Sequence, residues 1–488
     1  MAVYLATAAL LGALVIVILR LQTRTQLPKG THLPPGPKSR PLVGNLFDVP
    51  KHNEWITYGE WARKYRDLVY ANVFGTHMLW INSRKMAYEF FDKRSAIYSD
   101  RMSSTMADDL VRLSHWNIGF QPYDLWWRRH RRLMHKSFHP KAVEAFHSIQ
   151  AKHTRNLLRR LLHSPEKYAT HILHTAGAII MEIAYGFEAQ PENDPYLAKS
   201  QKILHNMISD LRTPGKFYVD TLHWMKYIPA WVPGAEFQRK ASRWRQVSMD
   251  MLELPFSETK RRMSQGNPKL SFVSSNLSEF ETRTTKDINN EEIIRNTAIS
   301  MFMGGNDTTG LTIQTFVFAM SLYPEVQKKA QQEIDNILGF QRLPEVADMD
   351  TLPYVMDAVV QGYFIPKGTI ILGNAWALLH DETDFGPNPD KFDPERYFIP
   401  GVRDPGNTGA FGFGRRICPG RYMAINSVFL AIASILQVFE ISKTQDESGK
   451  EIPIDTEFTS GFFSHAPEFE CTIRPRSSIA EELVGRAV

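Results

Sequence analysis

Apolar and polar positions divide this 488-residue chain into stretches of different character. Ala2 to Leu19 runs without a charge, just long enough to cross a bilayer as a helix. Its basic residues, Arg20, Arg24 and Lys29, follow the apolar run. A cleaved signal has its charge in front and a shorter apolar core. With the charge behind, the positive-inside rule leaves the bulk of the chain in the cytosol. Residues 1–20 therefore read as a permanent anchor, with a cleaved signal as the alternative. Residues 21–41 read as a linker, stiffened by Leu33-Pro-Pro-Gly-Pro-Lys-Ser-Arg-Pro41, which cannot continue a helix. Residues 42–488 follow as one large domain.

Within that domain, Val69 to Asn82 is rich in β-branched and aromatic residues around Gly75 and predicts a strand pair. From about Pro140 to Arg262 apolar positions recur three and four apart, which predicts helices. Thr213 to Gly234 breaks this pattern, mixing Phe217, Tyr218, Trp224, Tyr227, Ile228 and Trp231 with proline and glycine. Ile293 to Tyr323 predicts a long, mostly apolar helix, and Arg421 to Phe439 one that is apolar on nearly every side. A helix of that second kind belongs inside a large core. The fold class expected is mainly α with small β-sheets.

Composition adds limits. The chain is 43% hydrophobic, 11% aromatic and 22% charged, enough for a sizeable core, and its net charge of +5 does not suggest a nucleic-acid partner. Two cysteines, Cys418 and Cys471, exclude a disulfide framework. The sequon Asn276-Leu-Ser278 would stay unmodified in a cytosolic domain.

Cys418 closes a glycine-rich loop, Phe411-Gly-Phe-Gly-Arg-Arg-Ile-Cys-Pro-Gly420, directly before the apolar helix. Pro419 favours a first helical position, where unpaired N–H groups lower a thiol pKa. Gly412, Gly414 and Gly420 permit close approach of the backbone to something flat, and Arg416 offers a cation to an anionic group. In the long helix, Gly304-Gly-Asn-Asp-Thr-Thr309 sets two glycines in mid-helix, each costing about 1 kcal/mol relative to alanine. Close approach of a ligand would offset that cost, and Thr308 could bond a carbonyl one turn back and leave a bulge. In Tyr123 to Arg132, Trp127 and Arg131 stand four apart on one helix face.

The pattern Phe-x-x-Gly-x-Arg-x-Cys-x-Gly resembles the haem-binding loop of the cytochrome P-450 superfamily, and the remaining details are similar to its fungal microsomal members. The resemblance implies haem as cofactor, Cys418 as the thiolate ligand of its iron, and Phe411 and Gly414 as fixed positions of the loop. It implies propionate contacts for Arg416, Trp127 and Arg131. A planar guanidinium suits that task because it holds a carboxylate in two bonds. Asp307 and Thr308 match the acid–alcohol pair that delivers protons for dioxygen cleavage. The resemblance further implies a monooxygenase acting on an apolar small molecule in secondary metabolism or xenobiotic oxidation. Electrons would come from NADPH through a separate NADPH-cytochrome reductase that docks on basic residues such as Arg128, Arg129, Arg132 and Lys136. The location implied is the endoplasmic reticulum membrane, single-pass, with a cytosolic catalytic domain. Thr213 to Gly234 is then a substrate-access loop dipping into the membrane surface, or else an aromatic-rich core loop. Pocket positions implied are Met102 to Phe120, one face of Ile299 to Asp307, and Phe462 to His465.

One departure stands out. After Leu352-Pro-Tyr-Val355 the chain runs through Met-Asp-Ala-Val-Val-Gln361 straight into Gly-Tyr-Phe-Ile-Pro-Lys-Gly-Thr369, a later strand hairpin of the family. Roughly two to three dozen residues are missing near 361–362, among them the family's Glu-x-x-Arg pair. Arg396, in Phe392-Asp-Pro-Glu-Arg-Tyr397, is that pair's partner. A buried arginine that loses its carboxylate costs about 3–5 kcal/mol. Arg396 is therefore expected to be either solvent-reached or re-paired, and the chain to hold haem poorly. The alternative function is a non-catalytic or mis-spliced relative.

Overall fold

The structure is a computed structural model that describes residues 12, 32–41, 43–50, 52–73, 75–198, 207–212, 216–282, 290–352, 369–460 and 464–486. The anchor expected over 1–20 apart from Gly12, most of the linker, the join near 361–362, and Phe462 and Phe463 among the pocket positions lie outside these residues. The chain forms two compact units.

The first unit takes in residues up to Ser99 together with Val355–Cys418. It holds helix α1, Glu54–Tyr65, and the expected strand pair, β1 Leu68–Val73 and β2 Thr76–Ile81, paired antiparallel with Leu68 opposite Ile81. Strand β3, Ile370–Gly373, adds parallel to β2. Alternation buries both faces of the sheet. Leu68, Leu79 and Ile81 pack with Met86, Phe90 and Leu378, while Val69, Ala71 and Trp80 pack with Trp61 of α1.

The second unit, Asp100–Tyr354 with Pro419–Val488, is mainly helical. Helix α2 is Leu125–Phe138, α3 His147–His163, α4 Tyr168–Tyr185, α5 Glu236–Ser264, α6 Phe272–Glu281 and α7 Asn290–Leu322. Helix α8 is Arg421–Val438, which leads into β4, Phe439–Lys443, paired antiparallel with β5, Cys471–Pro475. As expected from its composition, α8 is a core helix: Leu430, Ile435 and Val438 are buried with Leu157, Ile172 and Val317. It is long and apolar enough to cross a membrane, yet 61% of it is buried within the protein. Asn276 lies buried in α6 with its amide donating to Phe272 O at 2.7 Å, so the sequon offers no free acceptor.

Residues 217–235 form short 3-10 turns, including Tyr218–Asp220 and His223–Tyr227. Tyr218, Trp224, Tyr227 and Trp231 are 78%, 63%, 78% and 81% exposed, which removes the core-loop alternative for these four.

Candidate active site

Most of α7 is buried, and its tight contact with α4 runs through glycine. A Cβ on Gly305 would lie 3.1 Å from Ile180, and one on Gly310 would lie 2.7 Å from Leu173. Gly305 therefore serves helix packing, not the approach of a ligand. Gly304 differs: it is exposed, and a Cβ there would meet nothing within 4 Å. Thr308 and Thr312 follow at intervals of four, and both are exposed. The three make an open stripe with little side-chain bulk along an otherwise buried helix.

The expected back-bond forms. Thr308 Oγ1 donates to Gly304 O at 2.7 Å, and Thr312 Oγ1 donates to Thr308 O at 2.8 Å. The expected bulge does not: α7 is continuous from Asn290 to Leu322. A threonine can bond the carbonyl four residues back as a second donor and leave the backbone bond in place. Next to this stripe Asp307 is buried, and desolvation pushes its carboxyl up to about 6. Asn306 Nδ2 donates to its Oδ1 at 3.3 Å. A carboxyl that titrates near neutral pH, beside an exposed hydroxyl, can take up and release a proton under working conditions.

Helix α2 carries Trp127 and Arg131. Asp124 caps it, accepting from Trp127 N–H at 2.8 Å. Trp127 is buried and Arg131 half-buried. Arg128, Arg132 and Lys136 are exposed as expected, but Arg129 is not: it is half-buried, with Nη2 donating to Asn290 Oδ1 at 2.9 Å. Lys136 is paired with Glu279, which neutralises part of the basic face. Between Trp127 and Arg131 sits His130, fully buried, its ring pushed by desolvation down to about 4. His135 and His139 stand with ring centroids 5.9 Å apart, and no group of three metal-ligating side chains occurs among the described residues.

In the first unit the cysteine loop is closed on itself. Cys418 N–H donates to Phe411 O at 2.8 Å and Ile417 N–H to Gly414 O at 3.1 Å. The helix begins later than expected, at Arg421 with Gly420 as cap, so Cys418 stands ahead of its first turn. Gly412 and Gly414 have φ of +76° and +53°, the left-handed region that favours glycine. Their surroundings differ. A Cβ on Gly412 would meet nothing within 4 Å, whereas one on Gly414 would collide with the Phe91 carbonyl. Gly414 is thus needed for packing within the chain. Arg416 is half-buried, with Nε donating to Ser99 O at 2.7 Å. Burial pushes the other thiol, Cys471, up to about 12, so it remains protonated.

Arg396 is 7% exposed, and its guanidinium is saturated by main-chain carbonyls. Nε donates to Asp393 O at 3.2 Å, Nη1 to Phe385 O at 2.9 Å and Pro387 O at 3.3 Å, and Nη2 to Asn388 O at 3.0 Å and Lys391 O at 2.8 Å. Of the two expected outcomes, re-pairing is the one observed. It needs no carboxylate, because all five donors are taken.

The first unit holds the half-buried Cys418 in its glycine-rich loop, and the second holds Trp127 and Arg131 on α2 and Asp307 and Thr308 on α7. The sequence profile of the family described as Cytochrome P450 matches residues 34–360 and 355–472. Cytochrome P450 monooxygenase 208 of Postia placenta is 38% identical, over 98% of this chain and 96% of the relative. Cytochrome P450 monooxygenase COX2 of Coprinopsis cinerea is 37% identical over 93% and 91%, and tryptamine 4-monooxygenase of Psilocybe cyanescens 35% identical over 92% and 94%. The chain belongs to the cytochrome P450 family. It has the P450 fold, its activity is that of a P450 monooxygenase, and its cofactor is thiolate-bound haem. The alignment to the Postia relative runs over 508 positions, while 98% of 488 residues is about 478. About 30 aligned positions therefore lack a residue of this chain.

Proposed function

We propose that this chain is a membrane-anchored monooxygenase of the endoplasmic reticulum that inserts one oxygen atom of dioxygen into an apolar small molecule. It takes electrons from NADPH through a separate reductase and acts in secondary metabolism or xenobiotic oxidation. Cys418 holds the haem iron, with Arg416, Trp127 and Arg131 on the propionates and Phe411 and Gly414 shaping the loop. Thiolate-bound haem supplies the electron-rich iron at which dioxygen is cleaved. Asp307 holds a proton on its carboxyl up to about pH 6, and the Thr308 hydroxyl beside it keeps lone pairs free to relay one. The observation that carries this reading is the pairing on α7 of a buried, neutral-range carboxyl with an exposed alcohol. The anchor over 1–20 and the exposed aromatics at Tyr218, Trp224, Tyr227 and Trp231 support a membrane location. The outward Arg128 and Arg132 support an acidic partner.

A carbon monoxide difference spectrum of the reduced protein tests the ligand. Wild type should give the red-shifted Soret band of thiolate-bound haem, and Cys418→Ala should lose it. A variant that keeps the band would overturn the assignment.

A second reading is favoured by one feature. The family match is in two parts that meet within 355–360, and about 30 aligned positions lack a counterpart. On this reading the chain is a mis-spliced form lacking the Glu-x-x-Arg helix, with impaired haem binding. Sequencing the transcript across Val360 to Gly362 tests it: a read containing the helix restores the first reading.

A further inference from the structure

Phe413 lies within the cysteine loop, between the two residues joined by the Cys418 N–H to Phe411 O bond, and its ring is enclosed. Two glycines leave room for it. A Cβ on Gly409, where φ is +125°, would lie 2.5 Å from Phe413 Cζ. One on Gly373, at the end of β3, would lie 3.8 Å from Phe413 Cε2. The remaining neighbour is an aromatic ring. Phe91 stacks on Phe413 with centroids 5.7 Å apart and planes at 17°. Both rings pack against the buried cluster of Leu68, Leu79, Ile81 and Phe90 beside the sheet.

Phe91 is held as firmly as the ring it touches. It belongs to a π-helical turn, Tyr88–Lys93, in which Arg94 N–H reaches back to Glu89 O at 3.2 Å. Such wide turns are uncommon and occur often at functional sites. Phe90, 1% exposed, anchors the turn in the core, and the next residue meets the loop twice. The Phe91 ring covers Phe413, and the Phe91 carbonyl fills the space a Cβ on Gly414 would need. Gly414 in turn takes the Ile417 N–H on its carbonyl at 3.1 Å, next to Cys418. We propose that Phe91 is a positioning residue for the cysteine loop, its ring fixing through Phe413 the backbone that presents the Cys418 sulfur. Its functional consequence rests on Cys418 being the haem ligand, while the positioning itself does not.

Stacked aromatic pairs are coupled beyond the area they bury, so a double-mutant cycle reads the contact. Leucine stays apolar and removes the ring face. Amide hydrogen exchange on the full chain, read for the peptide covering 411–418, should be about three- to tenfold faster in Phe91→Leu and in Phe413→Leu. The double variant should exchange no faster than the worse single one, because each change already removes the same stack. In the haem-loaded protein, the share of reduced carbon monoxide complex with the thiolate-type Soret band should follow the same order. The inference is overturned if either single variant leaves exchange at 411–418 unchanged, so a failure of one to fold leaves the other to decide. It is also overturned if the two effects multiply in the double variant. An equal rise in β1 and β2 overturns it too, since that marks loss of general stability. Exchange is read with or without haem. Failure of Cys418 as the ligand would show in the Cys418→Ala spectrum and leave the exchange result standing.

Discussion

Asp307→Asn should make this protein more stable, and by an amount that depends on pH. The Asp307 carboxyl is buried on α7, and desolvation raises it from its ordinary 3.8 to about 6. A carboxyl raised by burial disfavours folding once it is ionised. Below pH 3.8 the folded and unfolded chains both carry the proton, and the group is neutral in its effect. As pH rises through about 6, folding must also desolvate a charge. The difference of about 2 pH units corresponds to about 3 kcal/mol by linkage, present in full above pH 7. Asparagine has the same shape without the charge. Urea unfolding at pH 8 should therefore give Asp307→Asn a stability about 3 kcal/mol above wild type, and at pH 4 the two should nearly coincide. The same variant should lose most monooxygenase turnover, the usual exchange of stability for activity at a working site. Equal stability at pH 8, or an advantage that persists unchanged at pH 4, would refute the claim that a desolvated charge sits there.

His130 should produce the opposite slope. Desolvation holds it at about 4, with Glu292 and the Trp126 carbonyl opposing and His115 and Arg129 assisting, so the unfolded chain binds the extra proton below pH 6.5. Wild-type stability should fall by about 3 kcal/mol between pH 6.5 and 4 from this group, and a His130→Phe variant should lack that share in a pH series of thermal melts. Arg396→Lys should destabilise nearly as much as Arg396→Ala, by more than about 3 kcal/mol, because three ammonium donors cannot span the five carbonyls the guanidinium holds. Limited proteolysis between Phe385 and Arg396 would read the opening, and a lysine variant as stable as wild type would contradict the carbonyl cage.

The sequence alone determined the class of fold and the chemistry. Residue type and the length of apolar runs placed β1 and β2, the long helix α7 and the core helix α8, because both act over stretches only a few to a few tens of residues long. The resemblance of Phe411 to Gly420, and of Asp307 with Thr308, to motifs of the family marked the candidate reactive groups. What the sequence could not give were relations between residues distant in the chain. Gly305 and Gly414 were read as openings for a ligand, yet Ile180 and the Phe91 carbonyl occupy those spaces. Phe91 belongs to no motif, and its partners Phe413 and Gly414 lie more than three hundred residues further on. Arg129 looked outward until α7 supplied Asn290. Arg396 seemed to need a lost carboxylate until the turns around it offered five carbonyls. Tertiary structure decided these points because hydrogen bonds and close packing are set by which groups are brought together in space, and the helical or strand period of a segment does not encode its distant partner.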